Sequence, residues 1–243
     1  MSETITGRKP VLEALRARQS LEKVVIAYGT HGKAMDDIRR EARRNGVPVT
    51  EVDREKFRQI ADESSAQGVV AIGAVKAYVE VEDLLEIARQ RGEKPYLLIL
   101  DEIEDPHNLG ALIRTAECAG VHGVIIPKHH SASINETVAK TSAGASLHLP
   151  AARVTNIAQT IKFLKENGVW IVGADASGDK LYFEADYGGP IAIVVGNEGK
   201  GIRKLVKEKC DFLVRIPLRG KVESLNASVA GALVLFEAAK ARR

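Results

Sequence analysis

The chain has 243 residues, enough for one large domain or two small ones with a core of useful size. Apolar residues make up 45% and charged residues 28%, and the formal charge is only +3, so a nucleic-acid partner must be argued from local patches rather than from overall basicity. There is no apolar run of about 18 residues to span a membrane, the polar start Met1 to Thr6 lacks a signal peptide's apolar stretch, and Cys118 and Cys210 lie outside any Cys/His cluster. These features predict a cytoplasmic protein with reduced thiols and no metal.

In chain order, β-type runs at 24–28, 47–52 and 69–75 alternate with helical patterns at 33–45 and 54–62. A second series of apolar runs follows at 96–100, 123–127, 170–174, 191–195 and 212–216, with helical patterns at 108–119, 156–167 and 226–241. Strands alternating with helices predict an α/β fold with a mostly parallel sheet. The charge-rich stretch 77–93 reads as a partly helical linker, so the expected domains are 1–76 and 94–243.

On the helical pattern at 33–45, Arg39, Arg40, Arg43 and Arg44 form i, i+4 pairs that line up four guanidinium groups, with His31 and Lys33 nearby. The stripe is either a solvated face or an RNA-backbone contact, which would be salt-dependent and blind to sequence. Aromatic residues are only 5% of the chain, which argues against a broad base-stacking platform.

Three segments of the second series suggest chemistry. In the first, 105–116, Asn108 lies near a helix start and Arg114 six residues on, about 9 Å along the axis. Read locally, Asn108 caps the helix and Arg114 snorkels or meets a carboxylate. In the second, the apolar run 191–195 opens into Gly196-Asn197-Glu198-Gly199-Lys200-Gly201, which is neither a Walker A loop nor a GxGxxG fingerprint. It is either a generous turn or a place where backbone approaches a ligand. The third, 216–230, passes from Ile216-Pro217 through a polar loop into an apolar helix, with Ser224 and Asn226 as candidate caps.

Taken together and in this order, the three segments resemble the signature motifs of SpoU-class (TrmH-like) RNA 2′-O-ribose methyltransferases of the SPOUT superfamily. Ala139-Lys140-Thr141-Ser142-Ala143-Gly144-Ala145 fits the same family. Gly7-Arg8-Lys9-Pro10-Val11-Leu12-Glu13-Ala14-Leu15 and Gln67-Gly68-Val69-Val70-Ala71 resemble its ribosomal-protein-L30e-like substrate-binding domain. Lys9-Pro10 departs from relatives that carry a small polar residue and alanine, at a helix start where proline is tolerated. This domain order is similar to that of bacterial enzymes that methylate a guanosine of large-subunit ribosomal RNA.

The resemblance implies an α/β catalytic domain with a deep C-terminal trefoil knot, S-adenosylmethionine as methyl donor, no metal, ribosomal RNA as partner, and a homodimer. It implies donor contacts at Gly173, Ala174, Gly196, Asn197, Gly199, Ile216 and Leu225, with Leu218 and Ala230 lining the adenine pocket. It also implies functional roles for Asn108, Arg114, Glu198, Ser224 and Asn226. An arginine holds its proton too tightly to serve as a base. Arg114 is therefore expected on the RNA phosphate and the developing alkoxide, with Glu198 orienting it or the target nucleoside, or taking the proton. Ser224 and Asn226 are expected to position the ribose and the loop. Two alternatives keep the chemistry: a transfer-RNA guanosine 2′-O-methyltransferase, and a ribosomal RNA enzyme conferring antibiotic resistance. A third, a non-catalytic ribosome-assembly factor, is opposed by the intact motif residues.

Overall fold

The computed structural model describes residues 4–73, 78–222 and 224–242. They divide into two compact units, one of residues 4–73 with Ser133–Glu136 and one of the remaining described residues.

The first unit runs β1 (Thr4–Thr6), α1 (Arg8–Arg16), β2 (Leu21–Ala27), α2 (Lys33–Arg44), β3 (Val49–Val52), α3 (Arg54–Ile60), α4 (Glu63–Ala66) and β4 (Val69–Gly73). Its sheet has the order β1-β4-β2-β3, with only β2 and β3 parallel. Side chains alternate along the strands, as a two-residue period requires. Val24, Ile26, Val69 and Ala71 join Val11 and Leu15 of α1 and Met35, Ile38 and Ala42 of α2 in one core. Val25, Ala27 and Val70 face Phe57 and Ala66 on the other side. The strand expected from residue 24 begins at Leu21, and the three-residue β1 was too short to carry a pattern. Residues 74 and 75 of the expected 69–75 strand lie outside the described residues.

The second unit contains α5 (Val81–Gln90), β5 (Tyr96–Asp101), α6 (Pro106–Cys118), β6 (Gly123–Pro127), α7 (Glu136–Thr141), α8 (Ala145–His148), β7 (Ala151–Val154), α9 (Ile157–Glu166), β8 (Trp170–Ala174), β9 (Lys180–Leu181), β10 (Ile191–Gly196), α10 (Lys204–Lys207), β11 (Phe212–Arg215) and α11 (Ala227–Lys240). The strands pair in the order β7-β6-β5-β10-β8-β11-β9, all parallel. Every residue of β5, β6 and β10 is buried, the mark of a parallel sheet covered on both faces. Residues of α5, α9 and α10 pack into one core with Leu97, Ile99, Ala192 and Val194, while α11 packs on α6, β10 and β8.

The segment expected as a linker, 77–93, is corrected over its described part. Val81, Leu84 and Ala88 of α5 are buried, and Val81 and Leu84 belong to the second unit's core. The charged residues that suggested a connector occupy only the outer face of an amphipathic helix.

Because the strands are parallel, the loops after β5, β8, β10 and β11 leave the same edge of the sheet. That carboxyl edge is where open α/β sheets bind ligands.

At the opposite edge, His122 is 1% exposed and ties the start of β5 in place. Its Nδ1 accepts from Tyr96 N at 3.0 Å, so the neutral ring carries its proton on Nε2, 3.0 Å from Glu93 Oε2. Burial lowers the His122 pKa, against the opposing pull of Glu93. As pH falls below the ordinary histidine value of about 6.5, the unfolded chain binds a proton that the folded chain resists, so stability present at neutral pH is lost. Urea unfolding of wild type and His122→Asn at pH 7.5 and 5.5 checks this: the wild type should lose more stability over that interval than the variant.

Candidate active site

The loop after β10 folds back as a tight hairpin. Asn197 N donates to Gly201 O at 3.1 Å and Gly201 N to Asn197 O at 2.8 Å. Gly201 sits at φ +67°, and a Cβ on Gly196 would lie 2.3 Å from the Gly201 carbonyl carbon. Glycine is thus required at Gly196 by close approach and at Gly201 by its left-handed backbone. The Asn197 side chain stiffens the turn: Oδ1 accepts from Gly199 N (2.9 Å) and Lys200 N (3.2 Å), and Nδ2 donates to Glu102 O (3.0 Å). On the far leg, the fully buried Asp101 carboxylate accepts from Arg203 N (2.9 Å) and Nε (2.8 Å) and lies 2.6 Å from Nη2.

Two helix starts bring the polar residues to this hairpin. Helix α6 is capped by Asp105, whose Oδ1 accepts from His107 N at 2.9 Å, with Pro106 in the first turn. Asn108 is therefore not the cap but a first-turn residue with its amide free for other partners. Helix α11 is capped by Asn226, whose Oδ1 accepts from Ser228 N (2.9 Å) and Oγ (2.6 Å). The same amide uses Nδ2 toward Asn108 Oδ1 (2.9 Å) and Glu198 Oε2 (3.2 Å), and Asn108 Nδ2 makes a long 3.5 Å contact with that oxygen.

A cavity of about 450 Å³ opens beside this network. Of the residues expected at the donor, Ala174, Gly196, Asn197, Gly199, Ile216, Leu218, Leu225 and Ala230 line it, together with Glu198 and Ser224. Gly173 is not among the residues lining the cavity, and a Cβ there would meet Leu213, Cys210 and Ile202 within 3.2 Å. Its lack of a side chain serves packing behind the sheet. Asn108 and Asn226 stand behind the Glu198 wall rather than in the lining.

Asp175 and Lys207 also line the cavity, and the motif reading missed them. Lys207 Nζ lies 2.7 Å from Asp175 Oδ2, and Ser177 N and Oγ donate to Oδ1 at 3.0 and 2.6 Å. Burial pushes the Asp175 carboxyl up, but Lys207 and the Ser177 bonds outweigh it and hold it below its ordinary value. The sequence signal was an acidic residue directly after an apolar strand. Burial pushes the Cys210 thiol up to about 12, so it is no nucleophile at neutral pH. Among the described residues, no cluster of three or more His, Cys, Asp or Glu side chains could hold a metal, and no helix is long and apolar enough to cross a membrane.

Arg114 is not gathered into the network. It is exposed on α6, with no hydrogen bond or ion pair among the described residues. Most arginines of the α2 stripe have local partners. Arg39 pairs with Glu51 at 2.6 Å and Asp36 at 3.8 Å, Arg40 with Asp37, and Arg44 with Glu41 at 4.0 Å, leaving Arg43 outside any ion pair among the described residues. Asp36, Asp37 and Glu41 each precede an arginine by three residues, a spacing that brings side chains together on a helix. Exposed pairs of this kind are weak, so phosphates can still compete for these arginines.

Comparison with known proteins bears on this geometry. Residues 95–236 match the SpoU rRNA Methylase family, and residues 4–79 match the domain described as RNA 2′-O ribose methyltransferase substrate binding. YacO of Bacillus subtilis, placed in the TrmH family of tRNA/rRNA methyltransferases, is 44% identical over 238 residues, covering 98% of this chain and 95% of its own. The AdoMet-bound rRNA methyltransferase from Sinorhizobium meliloti is 28% identical with a TM-score of 0.62, covering 98% of this chain and 87% of that one. The A. aeolicus TrmH/SpoU tRNA modifying enzyme is 29% identical with a TM-score of 0.56, covering 66% of this chain and 83% of that one.

The cavity fits S-adenosylmethionine. Its volume lies within the range of about 300–1,000 Å³ usual for such clefts. Ile216, Leu218, Leu225 and Ala230 offer an apolar wall for a purine, and the absent Cβ of Gly196 keeps the hairpin backbone closed at its edge.

Replacing Asn226 by Ser separates its two tasks. Serine keeps a capping oxygen, so stability should change by about 1 kcal/mol or less. The donor to Glu198 is lost, and turnover should fall roughly tenfold to a hundredfold. Thermal melting and methyl-transfer rates on the same preparation check both parts.

Proposed function

The chain belongs to the SpoU rRNA Methylase family and is an S-adenosylmethionine-dependent RNA methyltransferase; from that premise we propose that it methylates the ribose 2′-hydroxyl of a guanosine in large-subunit ribosomal RNA, in the cytoplasm. The carrying observation is the first unit. The S. meliloti rRNA enzyme is matched over 98% of this chain, whereas the A. aeolicus tRNA enzyme is matched over 66%. Together with the substrate-binding match at residues 4–79, this favours ribosomal over transfer RNA. The likeness of the catalytic unit to the tRNA enzyme keeps a transfer-RNA guanosine as the second reading.

S-adenosylmethionine supplies an electrophilic methyl group on a sulfonium. The protein must align the 2′-hydroxyl, accept its proton and stabilise the charge that develops. Glu198, at the cavity edge and hydrogen-bonded by Asn226, is the group that accepts the proton or orients the nucleoside. Asn108 and Asn226 hold that carboxylate, and Ser224 faces the cavity beside it. Arg114, with no carboxylate of its own, is free to meet the RNA phosphate and the developing alkoxide.

The strand order supports the knotted topology. β10 inserts between β5 and β8, and residues after β11 return to line the same cavity as the 196–201 hairpin.

A homodimer is supported by α11, which is apolar on two sides. Its inner face buries Ala227, Gly231, Val234, Leu235 and Ala238. Its outer face shows Val229, Leu233 and Phe236, at 48%, 38% and 49% exposure, beside Ala111 and Thr115 of α6. A helix apolar all round is ordinarily buried, so a second copy covers this face. Arg114 lies one turn from Ala111, on the side of α6 that carries the patch.

Incubation with labelled S-adenosylmethionine and unmethylated large-subunit ribosomal RNA or transfer RNA, followed by nuclease mapping, tests the substrate. Label on a guanosine 2′-oxygen of ribosomal RNA is expected; label only in transfer RNA selects the second reading. Arg114→Ala should cut methylation by about a hundredfold or more while leaving donor binding and melting temperature unchanged. Phe236→Glu combined with Leu233→Glu should give a monomer by light scattering.

A further inference from the structure

The donor cavity contains one ion pair that the catalytic assignments leave unused. Asp175 directly follows β8, and its side chain is 8% exposed. It reaches the hairpin: a Cβ on Gly201 would sit 3.3 Å from Asp175 Oδ2. Such a buried carboxylate needs compensation. Lys207 on α10 supplies the charge, and Ser177 supplies two hydrogen bonds.

These contacts limit what else Asp175 can bind. A carboxylate offers about four acceptor positions. Three are taken by Lys207 Nζ, Ser177 N and Ser177 Oγ. Since Lys207 already balances the charge, the remaining position on the cavity side suits a neutral donor better than a cation. Glu198, the other carboxylate of the lining, is engaged by Asn108 and Asn226 on the opposite task. On the methyl donor, the neutral groups able to donate one strong hydrogen bond are the ribose hydroxyls and the adenine amine. The apolar wall of Ile216, Leu218 and Ala230 suits the purine, which leaves the ribose for the polar wall. An acidic side chain just past the end of a parallel strand performs the same task toward the ribose of dinucleotides in doubly wound folds.

We propose that Asp175 accepts a hydrogen bond from one ribose hydroxyl of the methyl donor, and that Lys207 is the positioning residue that keeps the Asp175 carboxylate ionised and aimed at it. The proposal rests on the donor site described above.

Calorimetric titration with S-adenosylhomocysteine, its 2′-deoxy and 3′-deoxy analogues, and 5′-methylthioadenosine tests it without requiring turnover. Wild type should lose about tenfold to a hundredfold in affinity for one deoxy analogue. Asp175→Asn should weaken S-adenosylhomocysteine by a similar factor and show no further loss with that analogue. The same variant should weaken 5′-methylthioadenosine equally, because that ligand keeps the ribose and lacks the amino-acid end. Equal binding of all analogues by wild type would overturn the proposal. A loss in Asp175→Asn confined to S-adenosylhomocysteine would also overturn it and assign the pair to the amino-acid end. If Asp175→Asn melts at a clearly lower temperature, Lys207→Met takes its place, with reduced discrimination between the ribose and deoxyribose ligands expected and undiminished discrimination overturning the role of Lys207. Failure of wild type to bind S-adenosylhomocysteine at all would instead sink the donor-site reading itself.

Discussion

The site depends on the buried carboxylate of Asp101. It ends β5, is fully shielded from water, and takes its hydrogen bonds from the backbone and guanidinium of Arg203. A charge so placed is tolerated only with a well-aligned partner, and loss of the partner would cost several kcal/mol, on the order of 3–5. The pair therefore fixes where the chain goes after the hairpin of β10. The Asn197 side chain fixes where the hairpin begins, by its bond to Glu102 O in the loop after β5. Both legs of the hairpin are thus referenced to one neighbouring strand, and the cavity edge inherits that rigidity.

Asn226 shows why an amide, rather than any good capping group, stands at the start of α11. Its oxygen satisfies Ser228 N, one of the orphan donors of the helix start. Its nitrogen reaches Asn108 and Glu198. Aspartate would cap as well but would set a second carboxylate against Glu198. Serine would cap but could not span to two acceptors while its oxygen is occupied. Helix stability and site geometry are coupled through one planar group. The local reading of Asn226 as a cap is met by its bond to Ser228 N, and the same amide reaches Glu198.

The sequence was most readable where burial is complete. β5, β6 and β10 are unbroken apolar runs because both faces of the parallel sheet are covered, and their positions followed from that pattern. Short elements carried no period: β1, β9 and α10 have three, two and four residues and owe their form to neighbours. The 77–93 stretch misled because a charged outer face outweighed the buried positions Val81, Leu84 and Ala88 of α5. Gly173 was expected at the donor from the family resemblance alone; the structure shows Leu213 and Cys210 packed where its Cβ would be. Asp175 and Lys207 escaped notice because 32 residues separate them and only the sheet order brings them together.

The arginines reveal a constraint of a different kind. Those of α2 were grouped by spacing alone, yet the helix carries carboxylates at the matching spacing, and Arg39, Arg40 and Arg44 are drawn into pairs. Of the positions three or four residues from Arg114 on its helix, Gly110, Ala111 and Cys118 carry no charge, and Glu117 makes no ion pair with it. A guanidinium held by its own helix must exchange one anion for another when a phosphate arrives, whereas one left unpaired gains the whole interaction. The absence of a local partner therefore sets Arg114, like Arg43, apart from Arg39, Arg40 and Arg44. Arg114 also lies one turn from Ala111, on the side of α6 beside the apolar face of α11, where cover from solvent would lower the local dielectric and strengthen any ion pair its guanidinium made.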